Sequence, residues 1–337
     1  MRTVSLPLPR KRATAAAMAV CVVVASLLLL FRADPSPALR RIRPAALLSS
    51  SMRALEQPYS VSGRVTADVN VSRRHHRGDH GGGTLTHSVF RVWRSSRGVR
   101  VAQVLPFGER LLVANPDEAW YWDSDTLIAR HLPALDATSN GFDFTPALTS
   151  DPLALARSII GTVAPYSRVE VLDTGTVAGR PVYELSLRSE QRHTRLHRVI
   201  LSVDAVTRLP LEIRIYTHKL AAPAVDVAFT SISFAPVDAT MFHFTPPHAA
   251  TVLSVDPFAG GRRTDGPIAA ETRTIGRGWK TRVAWRLSHR LSRDAVTLFP
   301  VWNAIGSTLT VRVHGKSWVL AGLVSLSRLE DDVSKLP

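Results

Sequence analysis

The chain has 337 residues, of which 45% are apolar, and a formal charge of +15 from 42 Lys and Arg against 27 Asp and Glu. This length and apolar share exclude wholesale disorder and leave room for one large domain or two modest ones. The one cysteine, Cys21, excludes an internal disulfide framework and a Cys-based zinc site, so any stability outside the cytoplasm has to come from the core.

Residues 1–12 form a basic tail with Arg2, Arg10, Lys11 and Arg12. Residues 13–31, Ala13 to Phe31, carry no charge. At about 1.5 Å per residue such a run just covers a hydrocarbon core of about 30 Å, and the preceding cations favour an N-inside orientation. No small-x-small cleavage site follows, so a transmembrane signal anchor is expected rather than a cleaved signal peptide. Val20 before Cys21 is too bulky for a lipoprotein-type acylation site. The Pro/Arg/Ala-rich residues 32–46 read as a tether at the membrane surface.

A short helix is expected from Leu47. Tyr59 to Val71 then alternates apolar and polar residues, the mark of a half-buried strand. THSVFRVW, GVRVAQVLPF, ERLLVAN, EAWYWDS and TLIARHLP follow, separated by Gly98, Phe107-Gly108, Asn115-Pro116-Asp117 and Ser124-Asp125. Turns this short make sequential strands antiparallel neighbours. Leu135 to Ser150 has no period and reads as a loop. A helix is expected from Asp151-Pro152, Asp as N-cap and Pro at the first position, with Ala156, Ile159, Ile160 and Val163 as its apolar stripe. Strands resume with SRVEVLDTGTV, RPVYELSLRS, LHRVILSVDAVTRLPLEIRIY and VDVAFTSISF, and the domain of residues 47–250 closes at FHFTPPHAATV.

Residues 251–274 read as a linker and 275–337 as a small C-terminal β-hairpin module. In WKTRVAWRL the alternation puts Trp279, Thr281, Val283, Trp285 and Leu287 on one face and Lys280, Arg282, Ala284 and Arg286 on the other. That strand either packs its aromatic face on the main domain or lies at a membrane interface. STLTVRVHGKSWVLAGLV reads as a hairpin turning at Gly315-Lys316.

The usual catalytic spacings are absent: no Gly-x-Ser-x-Gly, no His-Glu-x-x-His, no Walker loop, no Gly-x-Gly-x-x-Gly. The chain is therefore not expected to be an enzyme or to hold a cofactor. Asp123 and Asp125 read as turn residues. The segment from Arg73 to Gly83, with His75, His76, Asp79 and His80, has ligand types for a divalent metal, but Arg73, Arg74 and Arg77 repel a dication, so no metal site is expected. The arginines are spread along the strands rather than gathered in a module, which argues against nucleic acid as a partner.

Several strands are apolar on both faces, among them Val89 to Trp93 and Trp120 to Trp122. An antiparallel sheet with one wet face needs only one apolar set, so the second set is covered by helices or lines an apolar cavity. Trp93, Val104, Leu112, Trp120, Trp122, Leu185, Ile213, Ile215 and Phe229 are the expected lining, with Ala156, Ile159, Ile160 and Val163 as a lid.

VANPDEAWYWDSDTLIARHLP, GTVAGRPVYELSLR (through Gly179, Arg180, Tyr183 and Leu185), LSVDAVTRLPLEIRIY (through Asp204, Thr207, Leu209 and Pro210) and the closing VDVAFTSISFAPVDATMFHFTPP resemble, in order and spacing, the outer-membrane lipoprotein carrier (LolA-like) family. The tail from residue 275 is similar to one on anchored members from Gram-positive, GC-rich bacteria. The resemblance implies an α+β fold, a curved antiparallel half-barrel closed by helices around a cavity for acyl chains. It implies non-catalytic binding or transfer of a lipid or lipidated protein at the outer face of the cytoplasmic membrane. Related RseB-like half-barrels imply the alternative, an envelope sensor that contacts a membrane partner and regulates an anti-sigma factor.

Overall fold

The computed structural model of the protein describes residues 38–71, 84–132, 152–218, 220–254, 269–287 and 305–337. The apolar run 13–31, the His-rich loop, Asp151 and the stretch 135–150 lie outside the described residues. No helix among the described residues is long and apolar enough to cross a membrane. The chain from Leu39 to Pro337 forms one compact unit.

Helix α1 runs Pro44–Glu56, three residues longer at its start than the period alone indicates, because Pro44 supplies a preset φ where no N–H is needed. Leu47, Ser51 and Leu55, four apart, form its buried stripe. The alternating runs become β1 (Val61–Val71), β2 (Thr84–Ser95), β3 (Gly98–Val104), β4 (Glu109–Ala114), β5 (Ala119–Asp123) and β6 (Ile128–Leu132). Helix α2 (Pro152–Val163) follows, then β7 (Ser167–Val177), β8 (Arg180–Ser189), β9 (Leu196–Asp204), β10 (Pro210–Thr217) and β11 (Val225–Ser233).

Each set is a meander of antiparallel neighbours, and the two are joined by pairing of β1 with β11. A further strand, β12 (Thr251–Ser254), adds to β6 in parallel, so the large sheet reaches past residue 250 into the segment read as linker. The resulting order is β12-β6-β5-β4-β3-β2-β1-β11-β10-β9-β8-β7. The sheet is curved, and β7 curls back to touch β11 without a hydrogen-bonded ladder among the described residues to close it. A bulge between Arg64 and Val65 helps to bend it there. Gly63 is required at that point, since a Cβ would sit 2.2 Å from the Ser231 carbonyl oxygen.

The tail is a second, four-stranded sheet of β13 (Ala269–Ile275), β14 (Arg282–Leu287), β15 (Ser307–Val313) and β16 (Lys316–Gly322), ordered β13-β14-β16-β15 and followed by α3 (Leu326–Val333). The β15–β16 turn is His314-Gly315, with φ of 47° and 76°, one residue earlier than expected and of the primed type that suits hairpin twist. Trp279 is not in a strand. It sits in a 3-10 turn, Gly278–Lys280, and β14 starts only at Arg282. Within β14 Arg282 does stand on the face opposite Val283 and Trp285, but that face is not open to water there. Arg282 is buried and ion-paired with Asp332, a carboxylate fifty residues away that no local period reveals.

Two of the motifs meet in one corner. Arg180 Nε donates to Asp204 Oδ2 at 2.6 Å and its Nη2 to Oδ1 at 3.1 Å. The same carboxylate accepts from Val206 N–H at 3.0 Å, Thr207 N–H at 2.6 Å and Thr207 Oγ1–H at 2.9 Å. Asp204 thus builds the β9–β10 turn and ties it to β8, which is why Asp and Thr stand three apart there. Burial alone would raise the Asp204 carboxyl, but Arg180 and the turn donors outweigh it and hold it below the ordinary carboxylate range.

Replacing Asp204 by Ala leaves a cation and two N–H groups unpaired, with an expected cost of about 3–5 kcal/mol at neutral pH. Because the folded value is lowered, the stabilisation is complete above the ordinary carboxylate range near ~4 and disappears as pH falls through the folded value. Urea unfolding of wild type and Asp204→Ala should therefore differ most at pH ~7 and converge in acid. Equal midpoints at neutral pH would remove the corner from the account of the fold.

Candidate functional site: the covered apolar face

Residues paired across strands share a face of the sheet, so the register assigns faces without ambiguity. From Val65 the row runs through Phe229 and, one step along each strand, Ala67–Val227–Ile213–Leu201–Leu185. The next row is Val69–Val225–Ile215–Val199–Leu187. All of these belong to the main core cluster together with residues of α1 and α2. This is the inner face. Beyond β1 it continues as Val92–Val101–Leu112–Tyr121, and at Leu112 and Tyr121 it becomes half-exposed.

Of the nine expected lining residues, Leu112, Leu185, Ile213, Ile215 and Phe229 stand on the inner face. Trp93, Val104, Trp120 and Trp122 stand on the outer face. The structure thus does not bring the nine together. Their second face is covered by the chain's own closing segment: Phe244 lies 5.8 Å from the Trp120 ring and 6.2 Å from that of Trp122. Asn115 Nδ2 donates to the Phe242 carbonyl at 3.0 Å and Arg100 Nη1 to that of Met241 at 3.3 Å, which pins the segment down. Trp120 Nε1 is satisfied by Glu118 at 2.8 Å. Val104 is 43% exposed. Asp123 and Asp125 form a turn with Arg110, as their spacing indicates.

Helix α2 lies on the inner face against β10 and β11. Ala156, Ile159, Ile160 and Val163 are all buried, and so are Leu153 and Leu155, because α1 and the C-terminal module cover further sides of the helix. Where α2, the sheet and the module meet, Ile159, Val163, Val199, Ile215, Trp279 and Leu323 close around a cavity of about 10 Å³. That volume suits about one water and no acyl chain. Trp279 is fully buried there and donates Nε1–H to Ser167 Oγ at 2.8 Å. Gly278, with φ 62°, lets it in, since a Cβ would lie 2.4 Å from the Tyr166 ring. Of the two readings of residues 279–287, packing of the aromatic face on the main domain is the one seen, with Trp279 and Trp285 against the main core; that the contact is with α2 has no local signal in the sequence.

The outer face of the second meander is polar. Arg214, Asp226, Asp68 and His87 stand in one row across β10, β11, β1 and β2. Arg214 pairs with Glu184 and, at 3.4 Å, with Glu212; His87 Nδ1 lies 2.7 Å from Asp68. Asp226 is pushed up to about 6, first by burial and then by the charge of Glu212, with Arg214 opposing.

The fold and site define an unclosed, curved and largely antiparallel sheet whose inner apolar face is covered by helices over the second meander. No family model and no curated relative matches the chain. Among solved structures it is similar to MucB, at 16% identity and a TM-score of 0.48 over 85% of this chain and 94% of that one. It is also similar to the MucA/MucB complex structure from Pseudomonas aeruginosa, at 15% identity and a TM-score of 0.46 over 86% and 96%. A LolA superfamily protein from Nitrosomonas europaea follows at 11% identity and a TM-score of 0.28, over 60% and 99%.

The raised Asp226 means that the folded protein binds an extra proton between about pH 4 and about 6, so stability falls as pH rises through that window. Asp226→Asn should add about 1–3 kcal/mol at neutral pH and flatten this dependence. Urea midpoints of both proteins at mildly acidic and neutral pH decide it; an unchanged or lowered neutral midpoint would refute the assignment.

Proposed function

We propose that the protein binds, without covalent chemistry, the acyl chains of a lipid or lipidated protein at the outer face of the cytoplasmic membrane, anchored by Ala13–Phe31. The observation that carries this reading is the nature of the cover. The inner face is apolar across five strands, and what shuts it is side-chain packing of α2, not a backbone ladder. A helix so held can leave while the sheet stays intact.

The magnitudes decide which ligand can displace it. Leu153, Leu155, Ile159, Ile160 and Val163 are buried to 7% or less. At about 1.5–3 kcal/mol each, uncovering them costs roughly 8–15 kcal/mol. One ten-carbon chain recovers about 8 kcal/mol gross, and two chains about 16. The exchange balances for a ligand with two or more chains and not for a single short one.

The expected result is a complex of the unit Leu39–Pro337 with a diacyl phospholipid or diacyl lipopeptide, seen by native mass spectrometry, and none with a short single-chain analogue. Ile160→Ala should lower the melting temperature and speed uptake, since it loosens the cover by about 2–5 kcal/mol. Absence of any lipid complex in both proteins would refute the reading. For the anchor, alkaline phosphatase fused after Pro337 should be active and sediment with membranes; an inactive fusion would reverse the orientation.

A second reading is favoured by the shared seam. Trp279 and Leu323 of the module touch the same cavity as Ile159 and Val163 of α2, so a ligand that moves α2 also unseats the module. An RseB-like sensor, relaying occupancy to a membrane protein such as an anti-sigma factor, would use this link. Lipid-dependent hydrogen exchange in β14 and β16 distinguishes it from simple carriage.

A further inference from the structure

We propose that the end of the large sheet formed by the β9–β10 turn and the entering chain is a docking surface for an anionic lipid bilayer. This rests on the reading that Ala13–Phe31 anchors the protein, and it says which side of the domain faces the membrane.

The point where the chain joins the domain is fixed. Tyr183 Oη donates to the Arg40 carbonyl at 2.8 Å, and Leu39 and Ile42 pack against the main core. From Phe31 to Leu39 are eight links, which span at most about 29 Å when fully extended. On that reading, this end of the domain can stand no further than that length from the point where Phe31 leaves the bilayer.

The same end has the chemistry of such a surface. Arg40, Arg41 and Arg43 are exposed. Arg208, in the adjoining turn, lies 5.4 Å over the ring of the Tyr183 that holds Arg40. The carboxylate of that turn, Asp204, is neutralised by Arg180, so the corner presents cations. In the same turn, two residues before Arg208, Val206 is 77% exposed at the tip. Cations around an apolar tip complement a phosphate layer over a hydrocarbon edge.

A second exposed apolar tip among the described residues has the opposite surroundings. Phe107, in the β3–β4 turn at the far end of the sheet, stands with Glu109, Asp123 and Asp125 against one cation, Arg110. An anionic surface repels that tip, which makes it the internal comparison.

The experiment uses the full chain with Cys21→Ala and a single cysteine for an environment-sensitive fluorophore, at Val206→Cys or at Phe107→Cys. The protein is reconstituted into vesicles of phosphatidylcholine alone or with one-third phosphatidylglycerol. The label at 206 should brighten and shift to the blue in the anionic vesicles, return toward its aqueous emission in high salt, and lose most of its response when Arg41 and Arg208 are both replaced by Ala. The label at 107 should stay aqueous throughout. A water-like label at 206 on protein that floats with the vesicles overturns the docking surface and leaves the anchor standing. Protein that floats with neither vesicle overturns the anchor and this proposal together. A blue-shifted label at 107 with an aqueous one at 206 reverses the orientation and overturns it as well.

Discussion

A twelve-stranded sheet that does not close has two faces to keep from water, and of the three α-helices among the described residues only α1 and α2 pack on it. The rest of the structure follows from that shortage. Helices α1 and α2 go to the inner face of the second meander, where the strands are apolar at every inward position from Val65 to Leu185. The outer face of the first meander is covered by residues 239–250, an irregular strap pinned by Asn115 and Arg100. The outer face of the second meander is left polar, where Arg198 lies 4.8 Å over the Tyr216 ring and carbon stems of arginines shield the sheet.

Most of the strands were legible because a period of two survives in each of them, and Gly, Pro and Asn-Pro-Asp mark the turns between. What was not legible was which face is which. In Val89-Phe90-Arg91-Val92-Trp93 both sets are apolar, and a tryptophan looks like the stronger lining residue than a valine. The register shows the reverse: Val92 is fully buried inside and Trp93 is outside. That choice depends on Phe244, some 150 residues later, and on a bulge at Arg64 that resets the pairing of β1 with β11. Neither leaves a trace in the local pattern. Helix α2 was readable for the same reason the strands were, as one stripe at helical spacing, but the burial of Leu153 and Leu155 outside that stripe reflects packing by elements far away in sequence, α1 and the tail module among the neighbours of the helix.

The tail shows how a distant partner decides what a local period leaves open. Alternation puts Arg282 on the basic face of its strand and says nothing of its burial; Asp332 takes it inside, where burial of the cation is tolerable only because the carboxylate comes with it. Sequence alone makes Trp279 a strand residue, whereas a left-handed glycine at 278 turns it into a plug that closes the seam beside α2. The module is therefore part of the cover of the inner face, and the helix cannot be considered apart from it.

This coupling constrains any binding mechanism. A ligand that lifts α2 must also compensate for what the helix shares with Trp279 and Leu323, so the cost of opening is set by the module as much as by the sheet. The inner face is least covered at Leu112 and Tyr121, away from the module, and the row there is continuous with Val101 and Val92. On the proposed reading, an acyl chain entering from that side would follow the Val92–Val101–Leu112–Tyr121 row, with the Arg110–Asp123 pair on the row beside it, before it met α2. Entry at the thinly covered edge and displacement of the helix from that edge inward lowers the opening cost at every step below that of lifting α2 whole. A sheet with one well-sealed and one thinly covered half is therefore better suited to take up long chains than one sealed evenly along its length.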